Sequence, residues 1–335
     1  MKNRKLVMVY SIVLLLLLAV IMLSLSWGSY YISVEDLIKT LFGEGSKYQN
    51  NVLFKIRIPR VLVAMVVGLA LATAGSILQS ITGNELAEPG IIGINSGCAM
   101  AVVLLIAYGG GNYYEKISNL TLYLMPVAAI AGGLIAATAI YMLAYKKGIS
   151  PTRLILTGIG VNAGVNAFIT LYQMNMSKGD YNRALTWISG SLWGSSIQFF
   201  YLVGPFIIIL FGVTLYQGKT LDVMDLADDL ATGLGVAVEK SRRRFLFIAV
   251  ALAALATSVA GNIAFLGLLG PQIAKKMVGP VHIRQIPIAA LISMIIILLA
   301  DAISRNLFSP IELPVGITIS IVGVPYFIYL FSKEK

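Results

Sequence analysis

The chain has 335 residues, 58% of them hydrophobic and 12% charged, with a mean hydropathy of +0.86. A water-soluble domain carries roughly 25% charged residues, so this composition excludes one and points to an all-α polytopic membrane protein. The formal net charge of +10 does not indicate nucleic acid, because the basic residues are spread along loops rather than gathered on one face. The single cysteine, Cys98, excludes an internal disulfide and a cysteine metal site. The single histidine, His282, stands in a polar linker, where a solvated imidazole is expected.

Basic residues near the N-terminus, among them Arg4 and Lys5, precede an apolar run that begins at Leu6. The run is longer than the core of a signal peptide and no small-x-small cleavage site follows it, so it reads as a retained first span. Ten spans are expected, at 6–26, 61–80, 91–108, 120–145, 154–172, 199–216, 245–262, 265–278, 286–303 and 315–331. The eighth is short and interrupted by Gly267, Gly270 and Pro271, which leaves open whether it crosses completely. Residues 185–195, with Trp187 and Trp193, predict a short helix lying at the interface. The whole chain, 1–335, reads as a single transmembrane domain. The 32 glycines suit close helix packing in lipid. An inside N-terminus places 16 of the 25 lysines and arginines in the cytoplasm, as the positive-inside rule requires. Ten spans then return the C-terminus to the same side.

The longest polar interruption is 220–244. At about 100° per residue, Asp222, Asp225, Asp228 and Asp229 fall on one side of a helix, and Val223, Leu226, Ala227, Leu230 and Leu234 on the other. Gly233 and Gly235 end it. This amphipathic helix is too short and too charged to cross a bilayer. Held at the cytoplasmic surface with its apolar side packed, it suits contact with a soluble partner, although a solvated surface helix has the same pattern.

Arg57 and Arg60, around Pro59 at the start of the second span, and Arg305, at the end of the ninth, stand on the outer side against the charge rule. Proline suits a first helical turn, but a cation there opposes the helix dipole. A partner's carboxylate or interfacial snorkelling would answer that. Asp301 precedes Arg305 by four residues, the spacing of a structural pair along one helix face; a proton relay is the other reading. No other acidic residue falls well inside a span, which argues against an ion-driven carrier. Phosphate-loop, zinc-hydrolase and serine-hydrolase motifs are absent. A membrane protein with no catalytic site and a docking helix needs a partner to supply energy.

Several blocks resemble the permease subunits of the iron-siderophore and cobalamin class of ABC importers. They are RIPR at 57–60, GLALATAGSILQSITGNELAEPGIIGINSG at 68–97, WISGSL at 187–192, GNIAFLGLLGPQIAKKMVG, LADAISR and ELPVGITISIVGVPYFIYL. Their order and spacing cover nearly the whole chain. The resemblance implies a ten-helix type II importer permease that pairs with a second permease subunit, as a homo- or heterodimer. Two cytoplasmic ATPases would use ATP and Mg, with no cofactor bound by this chain. An extracytoplasmic binding protein would deliver a ferric siderophore, or haem or cobalamin in the same architecture. The ATPase-coupling segment maps onto Leu221, Asp222, Asp225, Leu226, Asp228, Asp229, Leu230, Leu234 and Gly235. The family's binding-protein contacts map onto Arg57, Arg60 and Arg305, and its cytoplasmic gate onto Ser150, Pro151 and Thr152. Departures fall at Glu85, Glu88, Ala227–Asp229, Gln272 and Lys275, and Pro151 departs at the gate. Their number suggests one half of a heterodimeric permease.

Overall fold

The computed structural model describes residues 3–90, 93–108, 119–146, 150–226, 228–307 and 312–333. Ile91, the expected start of the third span, and Ala227 lie outside the described residues. The helices in chain order are α1 (Asn3–Ser26), α2 (Val34–Leu41), α3 (Lys47–Asn50), a π-helical turn (Asn51–Arg57), α4 (Ile58–Thr82), α5 (Ile94–Tyr108), α6 (Asn119–Ala144), α7 (Pro151–Met174), α8 (Lys178–Ile188), α9 (Ile197–Tyr216), α10 (Gly218–Met224), α11 (Asp228–Gly233), α12 (Val238–Ala260), α13 (Leu266–Val278), α14 (His282–Asn306) and α15 (Val315–Lys333). Each of the ten expected spans is a helix.

Local signals set several of these boundaries. The Ser33 hydroxyl caps α2 by accepting the Asp36 N–H. α4 carries Pro59 in its first turn and ends at Gly83, whose φ of 58° reverses the chain. Residues 185–195 do not form one helix. The helix lies earlier, as α8, and Gly190 and Gly194, both at φ 74°, turn the chain after it. There the Ser191 N–H donates to the Ala260 carbonyl (2.8 Å) and Gly316 N–H to the Gly190 carbonyl (3.0 Å).

Burial divides the long helices into two groups. α4, α12 and α14 form the interior, while α1, α7 and α9 lie at the periphery with most of their surface open. The α4–α13 contact is backbone against backbone: a Cβ on Gly75 would collide with the Gly267 carbonyl.

One of the ten helices does not cross. α13 has 13 residues. At about 1.5 Å per residue it falls short of the roughly 30 Å hydrocarbon core. α13 begins beside Leu71 and Gly75, halfway along α4. Its N-cap, Phe265, sits at φ 65°, a rare conformation for an aromatic residue, and donates its N–H to Glu88 Oε2 (2.8 Å). Glu88 is buried in the segment after α4, which therefore dips back to that depth. The first turn of α5 meets the end of α12 through Asn95 Nδ2 to Asn262 Oδ1 (2.7 Å) and Thr257 Oγ1 to Asn95 Oδ1 (3.1 Å). Irregular backbone at membrane depth is tolerated only where protein covers it and its polar groups are paired. The eighth span is thus a half-span.

Candidate functional site

The segment 221–235 forms two short helices, α10 and α11, rather than one. The chain turns between them, with the Leu226 N–H bonded to the Val223 carbonyl. Leu221, Met224 and Ala231 are buried, but Leu226, Leu230 and Leu234 are 44%, 61% and 65% exposed. The expectation of a packed apolar side and a free acidic side is corrected on both counts. Asp222 Oδ1 accepts the His282 N–H (2.8 Å) and lies 2.7 Å from His282 Nδ1, so it caps α14. Asp228 pairs with Arg242 (2.8 Å), while Arg242 Nε also donates to the Ile81 carbonyl (3.2 Å). Asp225 and Asp229 remain exposed, and Gly235 turns the chain at φ 87°. His282, expected in solvent, is buried as the first residue of α14. Its pairing with Asp222 ties the α10 segment to the interior.

Beside it, Lys275 Nζ lies 2.6 Å from Glu85 Oε1, and Gln272 Nε2 donates to the Glu85 carbonyl (3.0 Å). These three residues are departures from the family pattern, and they meet at one contact. Ser76, Gln79, Lys275 and Gln285 line a small polar cleft of about 200 Å³ there. Among the described residues no three His, Cys, Asp or Glu side chains are grouped to hold a metal.

α7 begins at the residues mapped to the gate. Ser150 is its N-cap, Pro151 occupies the first turn, and the Ser150 carbonyl accepts the Leu154 N–H (3.0 Å). Thr152 is exposed. Arg153 Nη1 donates to the Ala144 carbonyl at the end of α6 (3.2 Å), which ties the start of α7 to its neighbour. Along the middle of α7, Gly160, Ala163, Gly164, Asn166, Ala167 and Thr170 are exposed on one broad stripe. Nothing lies within 4 Å of a Cβ placed on Gly160 or Gly164. Asn166 Nδ2 donates to Asn162 Oδ1 (2.9 Å). Large apolar side chains flank the stripe, Leu156 and Ile159 at one end and Leu171 and Met174 at the other, and Phe168, 57% exposed, borders it along one edge. Sequence periodicity alone did not pick it out, because α7 is apolar enough to read as an ordinary span.

The three arginines mapped to the binding protein turn inward. Arg57, Arg60 and Arg305 are 4%, 8% and 7% exposed. Arg57 donates to the carbonyls of Leu25, Ser26 and Tyr30, the negative end of α1. Arg60 bonds Asp301 Oδ1 and Glu312 Oε2, both at 2.9 Å. Arg305 Nη2 donates to the Ser24 carbonyl and hydroxyl, both at 3.1 Å. The expected Asp301–Arg305 pair forms at 3.1 Å, as an ion pair without hydrogen-bond alignment at Nε. These charges are therefore answered within the chain, and a partner's carboxylates would have to compete with Asp301 and Glu312 to reach them. Glu312 was missed because it lies far from Arg60 in sequence, in a loop.

Membrane-length helices around the half-helix α13, with a weakly polar stripe on one peripheral helix, define a polytopic membrane transport subunit. The chain belongs to the FecCD transport family, whose profile matches residues 16–333. It is 46% identical over 334 residues to the iron(3+)-hydroxamate import system permease protein FhuG of Bacillus subtilis (strain 168), covering 100% of this chain and 99% of that one. It is 35% identical over 284 residues to the Fe(3+) dicitrate transport system permease protein FecD of Escherichia coli (strain K12), covering 85% and 86%. A solved inward-facing transporter described as of the metal-chelate ABC type superposes with a TM-score of 0.85 at 27% identity, covering 97% of this chain and 99% of that one.

Proposed function

We propose that this chain is one permease subunit of an ATP-binding-cassette importer that carries an iron(III)-siderophore, of the hydroxamate class, across the cytoplasmic membrane. The observation that carries this reading is the exposed stripe on α7. Amides on a lipid-facing helix are unfavourable, so Asn162 and Asn166 belong against a water-filled path or a second subunit. A path walled by glycine, alanine and neutral amides lets a bulky chelate pass without holding it. α7 therefore faces its counterpart in a second permease subunit, with the translocation path between them and the gate at 150–152. The 46%-identical relative, an iron(3+)-hydroxamate import permease, supports the hydroxamate class.

In this reading the face carrying Lys275, Arg242 and Arg284 is cytoplasmic, both termini lie on that side, and the exposed Leu226, Leu230 and Leu234 meet an ATPase subunit. Arg57, Arg60 and Arg305 brace the outer face on which a binding protein lands. The test is uptake of iron-55 ferrichrome into vesicles holding the permease subunits and the ATPase, with the binding protein added. Uptake that needs both ATP and the binding protein is expected. Uptake by this chain alone, driven by an ion gradient, would overturn the proposal.

A further inference from the structure

A second cleft, of about 640 Å³, lies at the end of α6 and the start of α12. One wall is Tyr141 and Tyr145, stacked with ring centroids 5.9 Å apart and planes 23° apart. The other is the first two turns of α12, which contribute Glu239, Lys240 and Arg243. Two neighbouring arginines are committed elsewhere: Arg242 to Asp228 and the Ile81 carbonyl, and Arg244 to Gln217 (2.9 Å). Lys240 and Arg243 are exposed and line the cleft. They lie three apart, on the helix face that carries Phe247 one turn deeper.

That deeper turn decides the kind of ligand. Phe247 is 63% exposed on α12, and Ile135 and Met142 are both 70% exposed on the adjoining part of α6. Two cations, one carboxylate (Glu239) and two phenols, a net positive set, thus stand at the head of a surface that continues into the membrane as open apolar side chains. Tyrosine and basic residues take these positions at the membrane interface, and basic pockets between spans bind anionic head groups. A soluble anion would use the cations but leave the apolar continuation unexplained.

We infer that the cleft between α6 and α12 binds the head group of an anionic phospholipid, with Lys240 and Arg243 on the phosphate, the tyrosine hydroxyls as further donors, and the acyl chains lying along Phe247 and Ile135. The inference rests on the membrane character of the chain and on this geometry, and it is independent of the transported chelate.

The test uses the full permease–ATPase complex, exchanged through vesicles of phosphatidylcholine containing a minority of phosphatidylglycerol and examined by native mass spectrometry. The wild type should retain about one phosphatidylglycerol per chain. Retention should fall about 30-fold in the double variant Lys240→Gln/Arg243→Gln, the combined effect of two basic groups near an anionic surface. It should persist in Lys240→Arg/Arg243→Lys. Unchanged retention in the glutamine variant would overturn the inference. So would loss of the ATPase from that variant with lipid retention intact, which would make the cleft a protein contact. Should the glutamine variant fail to fold, a photoreactive phosphatidylglycerol analogue on the wild type still decides. Labelling of peptides that contain Tyr145 or Arg243 is expected, and labelling confined to other peptides would overturn it.

Discussion

α7 and α9 are both peripheral helices of membrane length, and both expose most of their surface, yet they expose different chemistry. On α9 the open side chains are Tyr201, Phe206, Ile208, Ile209 and Tyr216, which match hydrocarbon and its interface. On the middle of α7 Phe168 is open too, but the rest are glycine, alanine, asparagine and threonine. Exposure in a membrane protein thus has two meanings, and composition of the exposed face separates them. Lipid rewards large apolar surface. What sets α7 apart is the uncovered Asn166, since an amide against hydrocarbon is unfavourable.

Matched glycines give the sharpest way to break the comparison. Gly164 on α7 and Gly212 on α9 are both open, with nothing within 4 Å of a Cβ placed on either. Gly164→Trp should cut chelate uptake by more than about tenfold by narrowing the path, while ATPase activity persists. Gly212→Trp should change stability by no more than ~0.5 kcal/mol and leave uptake near wild type. Equal effects on uptake would dissolve the distinction.

The interior that separates the two helices is tested at the charged cluster of Arg60, Asp301, Arg305 and Glu312. Arg60→Ala leaves Asp301 buried with only Arg305 beside it. Breaking a buried pair from one side costs ~3–5 kcal/mol, read as a lower melting temperature of the purified complex. A variant that melts normally but binds its binding protein less well would establish the outward role for Arg60. The two helices should also differ in their tolerance of charge. Ile209→Asp on α9 should lower membrane insertion by ~2.5–3.5 kcal/mol, seen as reduced yield in the membrane fraction. Asn166→Asp on α7 should insert normally. The smallest effect belongs at the basic face, where Leu230→Asp should weaken ATPase association by about 2 kcal/mol, as loss of a central interface anchor does. Co-purification yield measures it.

The ten helices were legible because hydropathy and length are properties of the sequence alone. The half-span was legible only as a suspicion, from Gly267, Gly270 and Pro271. What makes it a half-span is Glu88 reaching Phe265 from 177 residues away, and no local pattern carries that. The 221–235 stretch was misread because a helical wheel assumes one continuous helix, whereas Asp222 is drawn to His282 and Asp228 to Arg242. The arginines were singled out correctly as charges in need of partners. Asp301, four residues from Arg305, was visible as a mate; its link to Arg60 was not. Glu85, Gln272 and Lys275 each looked like an isolated departure, and only their meeting shows that they compensate one another.

The shortness of α13 also bears on how the protein is made. Thirteen residues, two of them lysines at the end, are too few for the insertion machinery to treat as a stop. The segment enters the membrane interior by docking onto a surface that already exists: the groove of α4 at Leu71 and Gly75, and the waiting carboxylate of Glu88. Assembly therefore has an order, with the α4–α5 segment in place before α13 settles. A chain lacking the Glu88 acceptor is expected to stall at that point and be degraded, so that its defect appears in the amount of protein made.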